Sequence, residues 1–204
     1  MSASDAAAHR QGRLGAFFGS SLRNYSAVWL LLVFVVVFSI TAPGTFNTLL
    51  TAQIVLSDHV TTAILALAIL VPLTAGHFDF AVGAYLALSM AIAAVMTSNG
   101  VPIVFGCIVA IAATTIAGAI SGFIIVRLRV NSFIATLGMS QIATAVALVV
   151  TQNQPVSITP PYWFTSMTRG KLFGLDFDVY YMAIIALILW YLLEHTPIGR
   201  SSFA

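Results

Sequence analysis

Charged residues are scarce in this sequence of 204 residues: they make up 7% of it, whereas roughly a quarter of a soluble domain is charged. Hydrophobic residues make up 60%. A water-soluble fold could not bury so much apolar surface, so the soluble globular class is excluded. The eight basic and six acidic side chains are also too few to build a basic surface for nucleic acid.

Residues that bind metals or nucleotides are few and scattered. Cys107 is the only cysteine, which excludes an internal disulfide and a cysteine metal site. The sequence has no glycine-rich phosphate loop ending in Lys-Ser or Lys-Thr, no zinc-protease histidine pair and no Gly-x-Ser-x-Gly motif. We therefore expect a chain that binds no metal or cofactor and hydrolyses no nucleotide itself. The histidines are too far apart in the sequence to suggest a metal site: His9, His59, His77 and His195.

Long apolar runs are what the sequence does contain, and a helix needs about 20 such residues to cross a bilayer. Polar residues 57–59 interrupt the second run, which favours a broken helix there. The first run resembles a secretion signal, but bulky Ile40 spoils the cleavage pattern, so we expect it to remain as the first helix. The runs predict an all-α, polytopic membrane protein with about six transmembrane helices, at residues 25–42, 47–74, 82–97, 102–126, 133–151 and 180–193.

Basic residues predict the orientation, because cytoplasmic loops carry an excess of Lys and Arg. With six alternating helices, both termini are predicted to be cytoplasmic, with residues 1–24 as a cytoplasmic N-terminal segment. The long connection at residues 152–179 then faces outward, and its aromatic residues suit the lipid headgroup layer. Arg169 and Lys171 share that outer side. The cytoplasmic side holds six arginines: Arg10, Arg13, Arg23, Arg127, Arg129 and Arg200.

Two carboxylates lie in or between the predicted spans, where an ionisable side chain indicates a protein-lined or wet environment. Asp79 separates the second and third spans. It either caps the third helix, accepting from the free amides near Ala81 or Val82, or fixes a non-helical segment at the bottom of a pathway through the membrane. Asp58 lies near the outer part of the second span, where it either meets water at the interface or contributes to that pathway.

Small and polar residues recur every four positions on two predicted helices. On the fifth, Thr136, Ser140 and Thr144 form a stripe with Gln141 beside it. Such a stripe either packs a neighbouring helix or lines a pathway, where hydroxyls and an amide would suit a neutral, hydroxyl-rich solute such as a sugar. On the fourth, Gly118 and Gly122 have the spacing that lets two helices pack closely in lipid.

Three stretches resemble the permease subunits of ribose-type and related sugar importers of the ABC transporter superfamily. Residues 76–83 are similar to the family's Gly-Gly-Ile-Asp-Leu-Ser-Val-Gly and share its Gly76, Asp79, Val82 and Gly83. Residues 127–138, followed by Gln154 and Pro155, resemble the family's basic connector, fifth-helix start and outer loop. Residues 196–200 resemble the start of its cytoplasmic coupling segment, with Thr196, Pro197, Gly199 and Arg200.

The resemblance implies a permease domain over residues 25–204 that sits in a bacterial-type plasma (inner) membrane and imports a sugar or a similar small hydroxylated solute. It also implies a second permease subunit, as a homo- or heterodimer, cytoplasmic ATPase subunits that use ATP, and an extracytoplasmic solute-binding protein. These subunits would work by alternating access. His77 departs from the family pattern, since it replaces the second glycine of the motif.

The resemblance also implies that this chain corresponds to about the first two-thirds of a permease, because permeases of the family continue into a coupling helix and further spans. We therefore expect the domain to be incomplete at its C-terminus, and the 204-residue product alone not to support uptake. Three other functions are consistent with the sequence. They are a branched-chain amino acid permease, an intramembrane enzyme that uses Asp79 and Asp58, and an assembly fragment that binds a permease without transporting.

Overall fold

The computed structural model describes residues 25–195, which are predominantly helical, as the sequence predicts. Predicted features at residues 1–24 and 196–204, including the four residues of the coupling segment, lie outside the described residues. The chain divides into two compact units, of which the first ends at Val55 and the second begins at Leu56. Its elements are α1 (Ser26–Thr41), α2 (Pro43–Phe46), α3 (Leu49–Asp58), α4 (Val60–Thr74), α5 (Val82–Ser98), α6 (Ile103–Arg127), α7 (Ser132–Val150), α8 (Tyr162–Arg169), β1 (Lys171–Leu172), β2 (Leu175–Asp176) and α9 (Phe177–His195).

In the first unit, the chain folds back after α1 through the short helix α2. Pro43 occupies the first position of α2, where its missing N–H is not needed. The side chain of Asn47 holds the fold-back, since its Oδ1 accepts from Ser39 Oγ at 2.9 Å and its Nδ2 donates to Ser39 O at 3.3 Å. The Phe38 and Phe46 rings pack with centroids 5.6 Å apart.

The predicted break in the second apolar run is confirmed. Helix α3 ends at Asp58, α4 begins at Val60, and the two are bent by 46°. His59 lies between them with a φ of −97° and a ψ of 0°, outside the helical range. The break therefore falls on the polar residues that interrupt the run.

The core of the second unit is formed by α5, α6 and α7, which pack on one another, while α9 packs on α4. Most of the buried residues are small, as expected where helix backbones approach closely in lipid. A Cβ added to Gly106 would lie 3.2 Å from the Ala93 carbonyl oxygen, so α6 approaches α5 closely there. The buried residues of the three helices are Leu88, Ala91, Ile103, Gly106, Ala110, Ser121, Ala135, Thr136, Met139, Ser140 and Ala143.

Not every predicted span has the length of a full membrane crossing. Among the described residues, α6, α7 and α9 are long and apolar enough, and the bent pair α3 and α4 makes a fourth span if it is counted as one. Helices α1 and α5 are apolar but have 16 and 17 residues. All six predicted runs are thus helical, whereas six crossings remain a prediction.

The predicted long connection at residues 152–179 contains regular structure. It holds α8 and a hairpin of β1 and β2, in which Lys171 pairs with Asp176 and Leu172 with Leu175. Helix α9 begins at Phe177, three residues before the predicted start of the sixth span. Elements this short carry no clear periodicity, and the hairpin forms against the first turn of α9, where Tyr180 Oη donates to Leu172 O at 2.7 Å.

Candidate functional site

The motif at residues 76–83 connects α4 to α5, and Gly76 ends α4. The His77 amide donates to Pro72 O and the Gly76 amide to Leu73 O, both at 3.0 Å. This is the Schellman arrangement, in which the C′ residue, here Gly76, adopts a left-handed conformation. Gly76 has a φ of +75°, which an L side chain rarely adopts. The first glycine of the motif is therefore required by the helix end.

Asp79 lies just before the next helix. Its Oδ1 accepts a hydrogen bond from the Ala81 amide at 2.8 Å, and α5 starts one residue later at Val82. This amide is one that the capping interpretation names, but the N-cap residue of α5 is Ala81, which makes no side-chain cap bond, so a capping role for Asp79 remains a prediction. Residues 77–81 between the two helices are not helical.

Thr136 on α7 binds the same segment through its hydroxyl group. Its Oγ1 accepts from the Phe80 amide at 3.2 Å and donates to Ser132 O at 2.8 Å. The Phe80 ring packs edge-on against Phe133, with centroids 4.9 Å apart. Thr136 is 1% exposed, so these bonds are shielded from water. The connection between α4 and α5 is thereby fastened to the first turns of α7.

A small cavity of about 190 Å³ lies beside this segment. It brings together Asp79 of the motif, the Gly118 and Gly122 pair, and Thr136 of the stripe. Ligand pockets usually have volumes of roughly 300–1,000 Å³, so this cavity suits water or a small polar group better than a whole sugar. Its lining residues are Pro72, His77, Phe78, Asp79, Gly118, Ser121, Gly122, Ile125, Val126 and Thr136.

The polar stripe on α7 divides into two parts. Thr136 and Ser140 are buried, whereas Thr144 and Gln141 are exposed. Ser140 Oγ donates to Leu137 O at 2.7 Å, and Thr144 Oγ1 donates to Ser140 O at 2.8 Å. Since these hydroxyl protons are already bonded within the helix, the side chains offer a passing solute acceptor lone pairs only. A pathway role for Thr144 and Gln141 remains a prediction.

The space that a Cβ would take at Gly118 and Gly122 is open in the part of the chain that the structure describes. A Cβ added at either would meet nothing within 4 Å, so neither glycine is at a helix contact there. Their predicted role in helix packing therefore needs a partner beyond residues 25–195 and remains a prediction. Gly106, which the sequence reasoning missed, makes the tight contact instead, and its spacing of four to Ala110 is the signal that could have identified it.

Asp58 is separate from this group. It is exposed at the end of α3 and is not among the residues that line the cavity. The acid pair required of an intramembrane enzyme is therefore not assembled around the Asp79 cavity.

A larger groove of about 510 Å³ lies between α4 and α9. It lacks the convergent polar groups that orient a hydroxylated ligand, apart from Glu194 at one end. Within residues 25–195, no three side chains of the metal-ligating types cluster. The groove is lined by Leu67, Leu70, Ala186, Leu189, Trp190, Leu193 and Glu194.

Comparison with known proteins places the chain among transport permeases. The family described as branched-chain amino acid transport system / permease component matches residues 51–204. No solved structure matches the chain.

Several curated relatives are import permeases for sugars. The ribose import permease protein of Haemophilus influenzae is 33% identical over 145 residues, which cover 70% of this chain and 45% of the relative. The ribose import permease protein of Escherichia coli K12 is 32% identical over 196 residues, 91% of this chain and 61% of the relative. The D-allose transport system permease protein of the same strain is 26% identical over 182 residues, 89% of this chain and 56% of the relative. The chain thus spans between 45% and 61% of the length of these relatives.

Proposed function

The chain belongs to the family of branched-chain amino acid transport system / permease components, and from that membership we propose that it forms part of the permease subunit of an ABC importer for a sugar or a similar small hydroxylated solute. The observation that carries this proposal is the 32% identity to a ribose import permease across 91% of the chain. The apolar helices agree with it, since together with the permease family they support a multi-pass inner membrane protein.

The choice of solute rests on the relatives. The family description names branched-chain amino acids, which keeps an amino acid permease as the second candidate. The relatives described above are ribose and D-allose permeases, and they favour a sugar. The enzyme alternative is set aside, because the family consists of transport permeases and Asp58 does not line the Asp79 cavity.

The partners in this proposal follow from the importer class. A second permease subunit, identical or different, would complete the pathway. Cytoplasmic ATPase subunits would hydrolyse ATP, and an extracytoplasmic binding protein would deliver the solute. We place both termini in the cytoplasm, since that puts six of the eight basic side chains on the cytoplasmic side.

In this function, we assign residues 76–81 the role of a joint between two helices that change orientation. Gly76 ends α4, the Asp79 carboxylate accepts from the Ala81 amide directly before α5, and Thr136 ties the joint to α7. Alternating access requires groups of helices to rotate while the connections between them keep their backbone hydrogen bonds satisfied. A short segment with defined bonds at both ends meets that requirement.

Uptake by a chimeric importer tests the proposed function. Residues 51–204 of this chain replace the matching part of the Escherichia coli ribose permease in a strain that lacks its own copy. We expect uptake of labelled ribose or D-allose, and its loss when the ATPase subunit is inactivated. Preferential uptake of leucine would support the amino acid permease, and uptake that survives ATPase inactivation would overturn the proposal. Co-purification of the ATPase establishes that the chimera has assembled.

A further inference from the structure

The segment formed by α8 and the hairpin, residues 162–176, exposes a set of large apolar side chains. Trp163 and Met167 lie one helical turn apart on α8 and are 47% and 55% exposed. Phe173, at the tip of the hairpin, is 92% exposed. None of these three residues lies in a transmembrane helix, so the lipid core does not explain their exposure.

Phe173 also has a backbone conformation that is unfavourable for its side chain. Its φ is +51° and that of Gly174 is +84°, so these two residues form the tight turn between β1 and β2. Turns of this kind favour Asn, Asp or Gly at the first position, because few other side chains tolerate a positive φ. A phenylalanine there gains nothing from water or from the backbone, so its benefit must come from an apolar environment around the tip.

The hairpin has a defined height relative to the membrane because it is fastened to a transmembrane helix. Strand β2 ends at Asp176 and α9 begins at Phe177, with no residue between them. Tyr180 Oη donates to Leu172 O at 2.7 Å, and Tyr181 Oη donates to Met167 O at 2.9 Å. The first turn of α9 therefore holds both the hairpin and α8.

The uncharged stretch of α9 leaves no room to raise this segment above the lipid. Residues 179–193 lie between the charged Asp178 and Glu194, and these 15 residues extend about 22 Å at a rise of 1.5 Å each, whereas the hydrocarbon core of a bilayer is about 30 Å thick. To cross the membrane, α9 must therefore begin at the hydrocarbon boundary. The segment attached to its first turn then lies at the level of the headgroups, where amphipathic aromatic side chains are favoured.

We propose that residues 162–176 form an interfacial anchor that lies in the headgroup layer of the bilayer. Trp163, Met167 and Phe173 insert at the boundary with the acyl chains. The exposed side chains of Arg169 and Lys171 contact lipid phosphates. Because its height is fixed by α9, the anchor meets lipid before it could meet a protein that approaches from the aqueous side. The anchor does not depend on which solute the importer carries.

Tryptophan fluorescence in vesicles tests this proposal. Trp29→Phe together with Trp190→Phe leaves Trp163 as the only tryptophan, and the full chain is reconstituted into phosphatidylcholine and phosphatidylglycerol vesicles. We expect blue-shifted emission, and stronger quenching by lipids with bromine near the headgroup than by lipids with bromine deep in the acyl chain. Acrylamide quenching should be about two-fold weaker than in detergent-free unfolded chain. Emission at the wavelength of free tryptophan, with full acrylamide quenching and no bromolipid quenching, would overturn the anchor and indicate a surface for a soluble partner.

A second variant separates anchoring from folding. Phe173→Asn suits the turn, so we expect its stability in detergent to be unchanged or higher, while acrylamide quenching of Trp163 in vesicles rises. Thr168→Asn, on the polar side of α8, serves as the matched control and should leave quenching unchanged. If Phe173→Asn folds and Trp163 remains equally protected in vesicles, the tip does not insert and the proposal is wrong.

Discussion

The hydroxyl group of Thr136 bonds to two backbone groups, one on its own helix and one far away in the sequence. Thr136 Oγ1 accepts from the Phe80 amide and donates to Ser132 O, although Phe80 lies 56 residues earlier in the chain. A valine at this position would fill the same space but could form neither bond. The segment between α4 and α5 therefore depends on the chemistry of this side chain and not on its shape alone.

Thr136→Val is expected to lower the free energy of unfolding by about 1–3 kcal/mol, because it leaves the Phe80 amide without its acceptor. The matched control is Thr144→Val, which removes an exposed hydroxyl that bonds only within its own helix. Thermal or denaturant unfolding in detergent measures both variants. Equal destabilisation by the two would show that the bond to Phe80 contributes nothing specific.

Asp79 can be tested with one substitution that keeps an acceptor oxygen and one that removes it. Asp79→Asn keeps an oxygen that can accept from the Ala81 amide, so we expect its stability to remain close to that of the original chain, and uptake by a chimeric importer that carries it to remain close to that of the unsubstituted chimera. Asp79→Ala removes the acceptor and should cost about 1 kcal/mol of stability. A stable Asp79→Asn variant that has lost uptake would show that transport uses the negative charge itself.

These two residues also show what the sequence could reveal about the site. The bond from Asp79 spans two residues, so the local pattern predicts it. The partner of Thr136 depends on how α7 packs against a connection far away in the chain, which no local pattern contains. The sequence therefore identified Thr136 as one member of a stripe but not as the residue that holds the motif.

At the scale of elements, two pairs of small residues on α6 have the same spacing and different surroundings. Gly106, followed four residues later by Ala110, faces α5 at close range. Gly118 and Gly122 face the cavity instead. Spacing alone indicates that a helix can be approached closely, but the neighbouring helices decide where the approach occurs.

Alanine substitutions distinguish the two pairs. In a helix, alanine is about 1 kcal/mol more favourable than glycine, so Gly122→Ala should leave the isolated chain as stable as before or more so. Gly106→Ala should lower the unfolding temperature in detergent, since its Cβ would press on the backbone of Ala93. A larger residue, as in Gly122→Leu, should reduce permease dimerisation in gel filtration only if a second subunit packs there. The interpretation would be wrong if Gly106→Ala were harmless.

At the scale of the whole molecule, the positions of the helices could be predicted because hydropathy is a local property of the sequence. Each predicted run is a helix or a bent pair of helices. The sequence predicted that aromatic residues of the anchor segment suit the headgroup layer, but not its helix and hairpin, since α8 has eight residues and each strand has two, too few for a periodic pattern. Its folding depends on contacts with Tyr180 and Tyr181 that lie beyond the segment itself.

Labelling of single cysteines tests the predicted topology. In a Cys107→Ser background, Leu128→Cys marks the connector after α6, and Gln154→Cys marks the exposed turn after α7. Because α7 separates them and has the length of a crossing, a membrane-impermeant maleimide should label position 154 from outside and position 128 only after the membrane is opened. Labelling of both positions from the same side would mean that α7 does not cross the membrane.

The bond between Phe80 and Thr136 also sets an order of events during synthesis. A ribosome adds roughly 5–20 residues per second, so Thr136 emerges about 3 to 11 s after Phe80. During that interval α4 and α5 can enter the membrane, but the Phe80 amide between them has no bond to Thr136, which has not yet been synthesised. Biogenesis of this region therefore ends only when α7 arrives.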